Sequence, residues 1–254
     1  MFANERYLKI LDLLDQESSV TVSELMKLFG VSIETVRRDL EHLEKQGLLT
    51  RVHGGAISNK KMNKFEKLES RMSENRALKQ QLAKIAVRYI RENDTIAIDS
   101  GSTAMELVPF IKSQFRRLTI VTNSPEVLNA FSDMDTYELI QIGGQYLRDE
   151  KAFYGHLALD AINRLHFSKA FIFPSAISLR HGVGVFVHEL FDIERAFMHN
   201  ADEVFMLADH SKFEKTATIK LCDVTTSYKF ITDSEMPAQV YERYRKHSIQ
   251  IINK

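Results

Sequence analysis

The chain has 254 residues, and its 34 Lys and Arg residues balance 34 Asp and Glu residues, so the formal net charge is zero. Hydrophobic residues make up 44% of the chain, enough for the cores of two domains, but no apolar run is long enough to cross a bilayer. These figures argue against a membrane protein. The lone cysteine, Cys222, leaves no internal disulfide, and the first residues show no secretory pattern, so a cytoplasmic location is expected.

Three helical patterns fill the first part of the chain. Apolar residues at helical spacing predict a supporting helix over residues 6–14. Thr21 and Glu24 have the spacing of a capping box, so a second helix begins there, and Gly30 ends it because glycine tolerates the left-handed conformation. Ser32 then caps a third helix. The apolar faces predicted for the second and third helices comprise Val22, Leu25, Leu28 and Phe29, and Ile33, Val36, Leu40 and Leu43.

The third helix has the properties of a DNA-recognition helix, because its polar residues lie opposite the apolar face and are available to a partner. Gly47 ends this helix. A strand over residues 48–52, a glycine turn over residues 53–55 and a returning strand then predict a wing. We therefore predict a winged helix-turn-helix DNA-binding domain over residues 1–57.

The alternative for this domain is a small helical fold that binds no nucleic acid. The run Val-Ser-x-x-Thr-Val-Arg-Arg-Asp-Leu, followed by Gly-Leu-Leu-x-Arg-x-His-Gly-Gly-Ala, favours DNA. Residues 1–60 carry eight Lys and Arg against nine Asp and Glu, so the cations that bind phosphates must be concentrated at few positions. A second copy on a repeated site would add affinity, so a homodimer or homotetramer is expected. The predicted DNA contacts are Ser32, Thr35, Arg37, Arg38, Arg51 and His53.

Residues 58–75 are polar and charged, which is typical of a connector between domains. Their lysines and arginine allow two interpretations. They can belong to a solvated linker, or they can add phosphate contacts beside the wing.

From residue 76 onward, helical and strand patterns alternate. This alternation predicts an α/β domain with a mostly parallel sheet and helices on both faces. Ser124 and Pro125 have the types expected at the start of a helix, the serine as cap and the proline in the first turn. The predicted strands are residues 95–99, 118–122, 139–142, 170–173, 204–208 and 230–232.

Polar turns follow several of these strands, at the edge of the sheet where ligands of such folds bind. Residues 99–103 (Asp-Ser-Gly-Ser-Thr) lead into a helix whose free amides and partial positive charge favour an anion such as phosphate. This turn alone is equally typical of an ordinary strand-to-helix connection, but several turns at one edge favour a ligand site. Lys212 can pair with a phosphate as a point charge. The candidate effector-binding residues are Asp99, Ser100, Gly101, Ser102, Thr103, Asn123, Gly143, Gly144 and Lys212.

The recognition-helix run and the turns at residues 99–103, 122–124, 143–144 and 209–213 resemble motifs of the DeoR family of transcriptional regulators, over nearly the full chain. The resemblance implies an effector-binding and oligomerisation domain over residues 76–254, with the fold of ribose-5-phosphate isomerase. It also implies that a phosphorylated sugar or related metabolite changes the affinity for a double-stranded DNA operator, in most members that of a repressor. We expect the ligand to act by shifting the packing between protomers.

Three positions depart from the family pattern. Residues 173–177 read Phe-Pro-Ser-Ala-Ile where a Gly-Ala-Ser-Gly-Ile-like loop is usual, Gly184 stands in a His-Gly-Val-Gly turn in place of His-Gly-Leu-Thr, and Glu194 replaces a lysine. Pro174 stiffens the loop, the methyl group of Ala176 restricts close approach, and Glu194 reverses a charge. These changes predict a different, less anionic ligand or a weakened site. A sensor half that serves only assembly is the limiting case.

Catalysis and metal binding are disfavoured. A sugar-phosphate isomerase needs a carboxylate that moves a proton, and residues 174–176, where the related isomerases carry acids, contain none. Asp99 and Asp209 remain, but a strand-end aspartate more often orients a loop. The histidine spacing matches no common metal site. We therefore expect a regulator with no catalytic residue, no cofactor and no metal.

Overall fold

The computed structural model describes residues 3–17, 19–52, 54–58 and 66–254. The chain divides into two compact units, Met1–Glu66 and Lys67–Lys254. His53 of the predicted DNA contacts and residues 59–65 of the predicted connector lie outside the described residues.

The first unit is a winged helix-turn-helix, as the sequence predicts. Its helices are α1 (Ala3–Glu17), α2 (Val22–Phe29) and α3 (Ile33–Lys45), and its strands are β1 (Ser19–Thr21), β2 (Leu49–Val52) and β3 (Gly55–Ser58).

Local chemistry fixes the turn between α2 and α3. The Glu24 amide donates to Thr21 Oγ1 at 3.2 Å and the Thr21 amide donates to Glu24 Oε2 at 2.9 Å, which confirms the capping box. Gly30 follows α2 in the left-handed conformation, with φ at 64°, which confirms its role in ending the helix. Ser32 Oγ accepts a hydrogen bond from the Thr35 amide at 3.3 Å, so the predicted cap of α3 is also confirmed.

Two residues of the predicted apolar faces lie outside the core. Leu28 is 55% exposed and Ile33 is 38% exposed, so their assignment to the buried faces is wrong. Leu28 lies in the last turn of α2 and Ile33 is the first residue of α3, where the core of this small unit no longer covers the helices. On α3, a charged residue, Asp39, is buried beside Val36 and completes the inner face.

The wing is three-stranded, because β1, which the sequence patterns do not predict, pairs with its returning strand. β1 runs antiparallel to β3 with Val20 opposite Ala56, and β3 in turn pairs with β2. Only glycine fits at Gly55, because a Cβ atom there would lie 2.0 Å from the carbonyl oxygen of Val20. The Val22 amide also donates to the carbonyl oxygen of Gly54 at 2.8 Å. The wing is therefore joined to the chain between α1 and α2.

The second unit has the predicted alternation of helices and strands. Its helices are α4 (Leu68–Ser73), α5 (Arg76–Ala86), α6 (Ser102–Gln114), α7 (Pro125–Phe131), α8 (His156–Ile162), α9 (His188–His199) and α10 (Ala238–Lys246). Its strands are β4 (Thr95–Ile98), β5 (Thr119–Thr122), β6 (Glu138–Gln141), β7 (Gln145–Leu147), β8 (Ala152–Tyr154), β9 (Phe167–Ile172), β10 (Ala176–Ser178), β11 (Gly182–Val185), β12 (Ala201–Leu207), β13 (Ile219–Cys222), β14 (Tyr228–Ile231) and β15 (Ile251–Ile252).

Seven of these strands form one parallel sheet in the order β15-β14-β12-β9-β4-β5-β6. Successive residues of a strand point to opposite faces, and the structure accordingly has one core on each face. Ile96 of β4 packs into one core, with α5, α6 and α7, whereas Ala97 packs into the other, with α8, α9 and α10. The parallel sheet with helices on both faces is therefore confirmed.

Two small antiparallel sheets are added to this frame. β10, β11 and β13 form one, and β7 pairs with β8 in the other. None of these five strands was predicted. They contain only three or four residues each, and β11 is buried at every position, so no alternation of polar and apolar residues marks it.

Candidate functional sites

The exposed side of α3 carries four of the predicted DNA contacts. Ser32 and Thr35 lie at its start, where their hydroxyl oxygens are 3.0 Å apart. The Arg37 guanidinium lies 3.5 Å from the carboxylate of Glu34, and both side chains are more than half exposed. Arg38 is exposed and forms no ion pair within the part of the chain that the structure describes. Of the two arginines on α3, Arg37 pairs with a carboxylate, whereas Arg38 pairs with none among the described residues.

Arg51 of the wing has a carboxylate neighbour. Its backbone amide donates to Glu44 Oε1 at 2.8 Å, while its guanidinium lies 4.0 Å from Glu44 Oε2. Both side chains are about two-fifths exposed, and a solvated pair at that distance is weak. Arg51 can therefore exchange Glu44 for a phosphate. His53, the other predicted contact of the wing, lies outside the described residues.

Ile33 is a candidate contact that the sequence patterns assign to the core. It is exposed at the first position of α3, beside Ser32. An apolar side chain at the start of a recognition helix can contact the methyl group of a thymine. No sequence signal marks Ile33 for this role, because its spacing is that of a core residue.

A buried ion pair holds α3 against α1. Arg6 Nε lies 2.6 Å from Asp39 Oδ2 and Arg6 Nη2 lies 3.0 Å from Oδ1, so the guanidinium binds the carboxylate through two parallel bonds. The two side chains are 10% and 5% exposed, and the hydrogen bond to Asp39 raises the pKa of Arg6. Tyr7 stacks on His42 beside this pair, with ring centroids 4.7 Å apart. Arg6 is therefore a structural cation.

In the second unit, the carboxyl ends of β4 and β5 bring the first predicted effector residues together. β4 and β5 are neighbours in the sheet, so Asp99 and Asn123, which follow them, lie side by side, and the Asn123 Nδ2 atom donates to the carbonyl oxygen of Phe153 at 3.4 Å. Ser100 continues the turn, and Ser102 and Thr103 begin α6. All five side chains are more than nine-tenths buried.

Several polar atoms of this cluster lack a partner. Among the described residues, Asp99 Oδ1, Ser100 Oγ and Asn123 Oδ1 are buried and accept or donate no hydrogen bond. A buried polar atom without a partner costs free energy, so such atoms usually mark the place of a ligand or an ordered water. The amides at the start of α6 add donors and a partial positive charge at the same place.

Gly143 and Gly144 follow β6, the next strand of the sheet. Gly143 is exposed, and no atom would meet a Cβ placed there. At Gly144, with φ at 146°, a Cβ would lie 2.5 Å from the carbonyl oxygen of Tyr154 in β8. The structure thus gives Gly144 a packing role, which lets the β7–β8 hairpin lie close to the sheet edge.

Lys212 follows β12. In the sheet, β9 lies between β12 and β4, so Lys212 follows a strand two positions away from the one that Asp99 follows. It is half-buried and ends a short 3-10 helix, His210–Lys212. Asp209 begins that helix by accepting the Ser211 amide at 3.0 Å, so Asp209 orients the loop. The His210 amide and ring Nδ1 contact the buried carboxylate of Asp233 at 2.7 and 2.8 Å, which anchors the loop to the end of β14.

Lys79 of α5 is a second cation of this region, and the sequence patterns did not single it out. It is 4% exposed, and its Nζ atom donates to the carbonyl oxygen of Arg71 at 2.5 Å. Burial lowers the pKa of Lys79, the carboxylates of Glu74 and Asp209 oppose that change, and the charge of Lys212 adds to it. Lys79 and Lys212 are therefore close enough to interact electrostatically.

Two buried acids, Glu150 and Glu194, complete the region. Glu150 lies in the β7–β8 turn, is 6% exposed and forms an ion pair with Arg71 of α4. Glu194 lies on α9, is also 6% exposed, and its Oε2 atom has no hydrogen-bond partner among the described residues. The sequence patterns identify Glu194 only as a departure from the family pattern, and they give no indication that Glu150 belongs to a site.

Burial raises the pKa values of three acids in this region, and the charge of a neighbouring acid of the group adds to two of the shifts. Burial raises the pKa of Asp99 to about 7, with a further contribution from the charge of Glu150. Burial also raises the pKa of Glu194 well above its usual value, and Asp99 and Glu150 add to this shift. Burial raises the pKa of Glu150, although the charge of Arg71 opposes the change. Asp99, Glu150 and Glu194 are therefore close enough to interact electrostatically, and we call these three residues the acidic cluster.

Two further observations concern the described residues. No helix among them is both long and apolar enough for a bilayer span. No three His, Cys, Asp or Glu side chains among them are placed to hold a metal ion.

A winged helix-turn-helix with an exposed arginine on its third helix is typical of DNA-binding proteins, and the chain carries a second, α/β unit. Residues 6–62 match the DeoR-like helix-turn-helix domain, and residues 74–234 match the DeoR C terminal sensor domain. The chain belongs to the DeoR family of transcriptional regulators.

Relatives with known roles match over almost the whole chain. The chain is 31% identical over 251 residues to the lactose phosphotransferase system repressor of Lactococcus lactis subsp. lactis, and this alignment covers 98% of each chain. It is 31% identical over 246 residues to the L-fucose operon activator of Haemophilus influenzae, which covers 96% of this chain and 97% of that one. Among solved structures, ribose 5-phosphate isomerase A from Methanocaldococcus jannaschii aligns with 55% of each chain at 17% identity and a TM-score of 0.39, a likeness from which nothing about activity follows.

Proposed function

We propose that the chain is a repressor of carbohydrate-metabolism genes whose affinity for its operator is controlled by a phosphorylated sugar or a related metabolite. The names of two relatives that align with nearly the whole chain support carbohydrate-metabolism genes as the target. One is a lactose phosphotransferase system repressor, and the other is an L-fucose operon activator. We propose that the protein represses these genes and does not activate them.

The unpartnered buried atoms at the ends of β4 and β5 carry the proposal of a small-molecule effector. Asp99 Oδ1, Ser100 Oγ and Asn123 Oδ1 have no hydrogen-bond partner among the described residues, and the turn that holds Asp99 and Ser100 leads directly into α6, whose first backbone amides are free donors. Hydroxyl groups of a sugar satisfy such atoms, while the α6 amides, Lys79 and Lys212 favour the phosphate. We place Gly101, Ser102 and Thr103 in the same site, as part of the turn into α6. Gly143 and Gly144 stay candidates at its border.

For the operator, we propose that α3 enters the major groove. Arg38 and Arg37 bind base edges or phosphates, and Thr35 and Ser32 hold a phosphate near the helix start. Arg51 contacts the DNA backbone from the wing, as does His53. Because one unit offers few cations, two units on a repeated site give the required affinity, and we propose a homodimer or homotetramer.

The route from ligand to DNA, we infer, runs through α4. This helix is the first element of the second unit, and it is fastened to the β7–β8 turn by the Arg71–Glu150 ion pair. A ligand that approaches the acidic cluster competes with Arg71 for Glu150. The ligand then favours a second position of α4, which lies within the predicted connector, at residues 68–73, and leads along the chain to the DNA-binding unit.

The test uses the purified full chain and genomic fragments. An operator is first isolated by retention of fragments on the protein, and its affinity is then measured with and without a panel of phosphorylated sugars. Lys212→Ala should lose most of the effector response and keep its affinity for the operator. Lys215→Ala, which removes an exposed lysine three residues away, is the matched control and should respond as the unaltered chain does.

Each alternative has its own outcome. Retention of no fragment in preference to others, with and without phosphorylated sugars, would overturn the regulator. Specific DNA binding that no phosphorylated sugar alters, together with no thermal stabilisation by any of them, would favour a second unit that serves only assembly. Turnover of a sugar phosphate well above background would instead point to an isomerase-like enzyme.

A further inference from the structure

The acidic cluster consists of three buried carboxyl groups of the second unit. The three carboxylates of the acidic cluster come from three separate elements: Asp99 from the end of β4, Glu150 from the β7–β8 turn and Glu194 from α9. Each of the three residues is less than one-tenth exposed. An isolated carboxylate in such a place is unfavourable unless a cation or several donors meet it.

Only one of the three carboxylates has a cationic partner among the described residues. Arg71 pairs with Glu150, whereas no ion pair involves Asp99 or Glu194. The carboxylate oxygens left without partners among the described residues are Asp99 Oδ1 and Glu194 Oε2, and Asn123 Oδ1, at the end of the strand next to that of Asp99, has no partner either. Three acceptors that belong to one group of neighbouring side chains match the three N–H donors of an ammonium ion.

A metal ion is a poorer fit than an ammonium group. Metal ligands converge within about 2–2.6 Å of one ion, and no three acidic, His or Cys side chains among the described residues are placed to do so. An ammonium group on a sugar ring tolerates wider spacing, because its hydrogen bonds are longer and neighbouring hydroxyl groups reach the remaining oxygens.

We propose that the effector is a sugar phosphate that carries a protonated amine, with the ammonium group held by Asp99 and Glu194 and its phosphate toward the start of α6, Lys79 and Lys212. This inference rests on the proposed effector site and specifies its ligand. The cationic end of the ligand meets the acidic cluster and the anionic end meets the cations, so the charge on each end of the ligand is compensated by the protein.

Proton uptake or release distinguishes this proposal from its main competitor, in which protonated carboxyl groups donate hydrogen bonds to a neutral sugar. When an ammonium ion binds, it stabilises the carboxylate form of Asp99 and Glu194, and their protons leave to solvent. A neutral sugar that accepts hydrogen bonds from the same groups keeps those protons in place. Calorimetry in two buffers of different ionisation enthalpy measures the difference.

The experiment compares ligands that differ in one group. Glucosamine 6-phosphate and galactosamine 6-phosphate are titrated into the full chain beside glucose 6-phosphate, galactose 6-phosphate and the two N-acetylated amino sugar phosphates. We expect one of the amines to bind about tenfold or more tightly than its hydroxyl and acetamide counterparts, with release of protons at neutral pH. Glu194→Gln keeps the shape of the side chain and should reduce the preference for the amine to less than about threefold.

A control variant and folding measurements accompany the titrations. Glu189→Gln alters an exposed carboxylate on the same helix and should keep the full preference. Glu194→Gln puts a neutral side chain of the same shape where burial already favours the protonated acid, so its melting temperature should be no lower than that of the unaltered chain. If that variant fails to fold, Asp99→Asn takes its place.

The outcomes separate the two proposals. Equal or tighter binding of the neutral sugar phosphates, or a preference for amines that survives Glu194→Gln, overturns the ammonium site and leaves the sugar-phosphate effector in place. Binding of none of the six compounds contradicts the ammonium site, and a negative result with the wider sugar-phosphate panel contradicts the proposed effector as well.

Discussion

Arg71 and Glu150 form an ion pair in which the side chains are only 15% and 7% exposed. The pair joins α4 to the β7–β8 turn, and two solvated pairs, Lys67 with Asp149 at 2.9 Å and Glu69 with Lys151 at 3.0 Å, lie beside it. The position of α4 at the start of the second unit is therefore set by a turn whose central carboxylate belongs to the acidic cluster.

Arg71→Met should weaken both the fold and the effector response. Removal of one partner leaves Glu150 buried with less compensation, and the free energy of unfolding should fall by about 3 kcal/mol. If Arg71 transmits the signal, the ligand-induced change in operator affinity should shrink several-fold. Lys67→Met, which breaks an exposed pair at the residue just before the same helix, should change either quantity little. A full response in Arg71→Met would remove α4 from the route.

Arg38→Ala should reduce operator affinity more than Arg37→Ala does. A bidentate contact to a base is worth about 1–3 kcal/mol, so the loss for Arg38 should be about tenfold or larger. Arg37 shares its charge with Glu34, so its loss should cost less. Gel-shift titrations measure both, and Lys45→Ala, at the far end of α3 beside Glu41, serves as the control. Equal affinity in Arg38→Ala and the unaltered chain would contradict the docking of α3.

Asp39→Ala should destabilise the winged helix-turn-helix without touching its DNA-facing side. The change removes the carboxylate that binds the buried Arg6 guanidinium, so the free energy of unfolding of this unit should fall by about 3 kcal/mol. Replacement of both partners, Arg6→Met with Asp39→Leu, should recover much of the loss, because apolar side chains of similar volume need no charge compensation. Urea denaturation of the full chain, followed by the fluorescence of a label placed in the first unit, measures both. A double variant as unstable as Asp39→Ala would argue against the pair as the cause.

The stability of the second unit should fall as the pH rises from about 5 to about 7. An aspartate in an unfolded chain has a pKa of about 3.9, whereas burial raises the pKa of Asp99 to about 7 in the folded state. Between these values the folded chain binds more protons than the unfolded chain, so each step up in pH favours unfolding until the carboxyl has ionised in both states. The raised pKa values of Glu194 and Glu150 act in the same direction, and Arg71 opposes the effect at Glu150.

Thermal melting between pH 5 and 8 measures this dependence. Carboxylates whose pKa values are lowered, such as Glu92 and Asp133, lose their stabilising effect only at lower pH, so they do not mask the trend in this window. Asp99→Asn should give a flatter profile. A melting temperature that rises from pH 5 to pH 7 in the unaltered chain would contradict the raised pKa values of the acidic cluster.

The sequence predicted the features that depend on neighbouring residues. Thr21 with Glu24, Ser32 with Thr35, and Ser124, whose side chain accepts the Val127 amide, are contacts within one helical turn. The succession of helices and strands predicted the parallel sheet for a similar reason, because each element has its own periodicity.

Features that depend on the folded surroundings were missed or wrong. Ile33 and Leu28 have the spacing of core residues, but among the described residues of this small unit none covers them fully. Glu150 and Glu194 are far apart in the chain, and they come close enough to Asp99 to interact electrostatically only in the folded protein. The periodicity of a single helix or strand does not indicate which side chains of distant elements become neighbours. The sequence patterns therefore could not predict the acidic cluster.

The pairing of β1 with β3 has a mechanical consequence for the operator. Because the returning strand of the wing is hydrogen-bonded to the segment between α1 and α2, the hairpin cannot swing independently of the recognition helix. The distance between a groove contact and a flanking backbone contact is then a fixed property of the protein. Any mismatch in curvature must be taken up by the duplex, so flexible base steps between the two contacts should be selected although no side chain touches them.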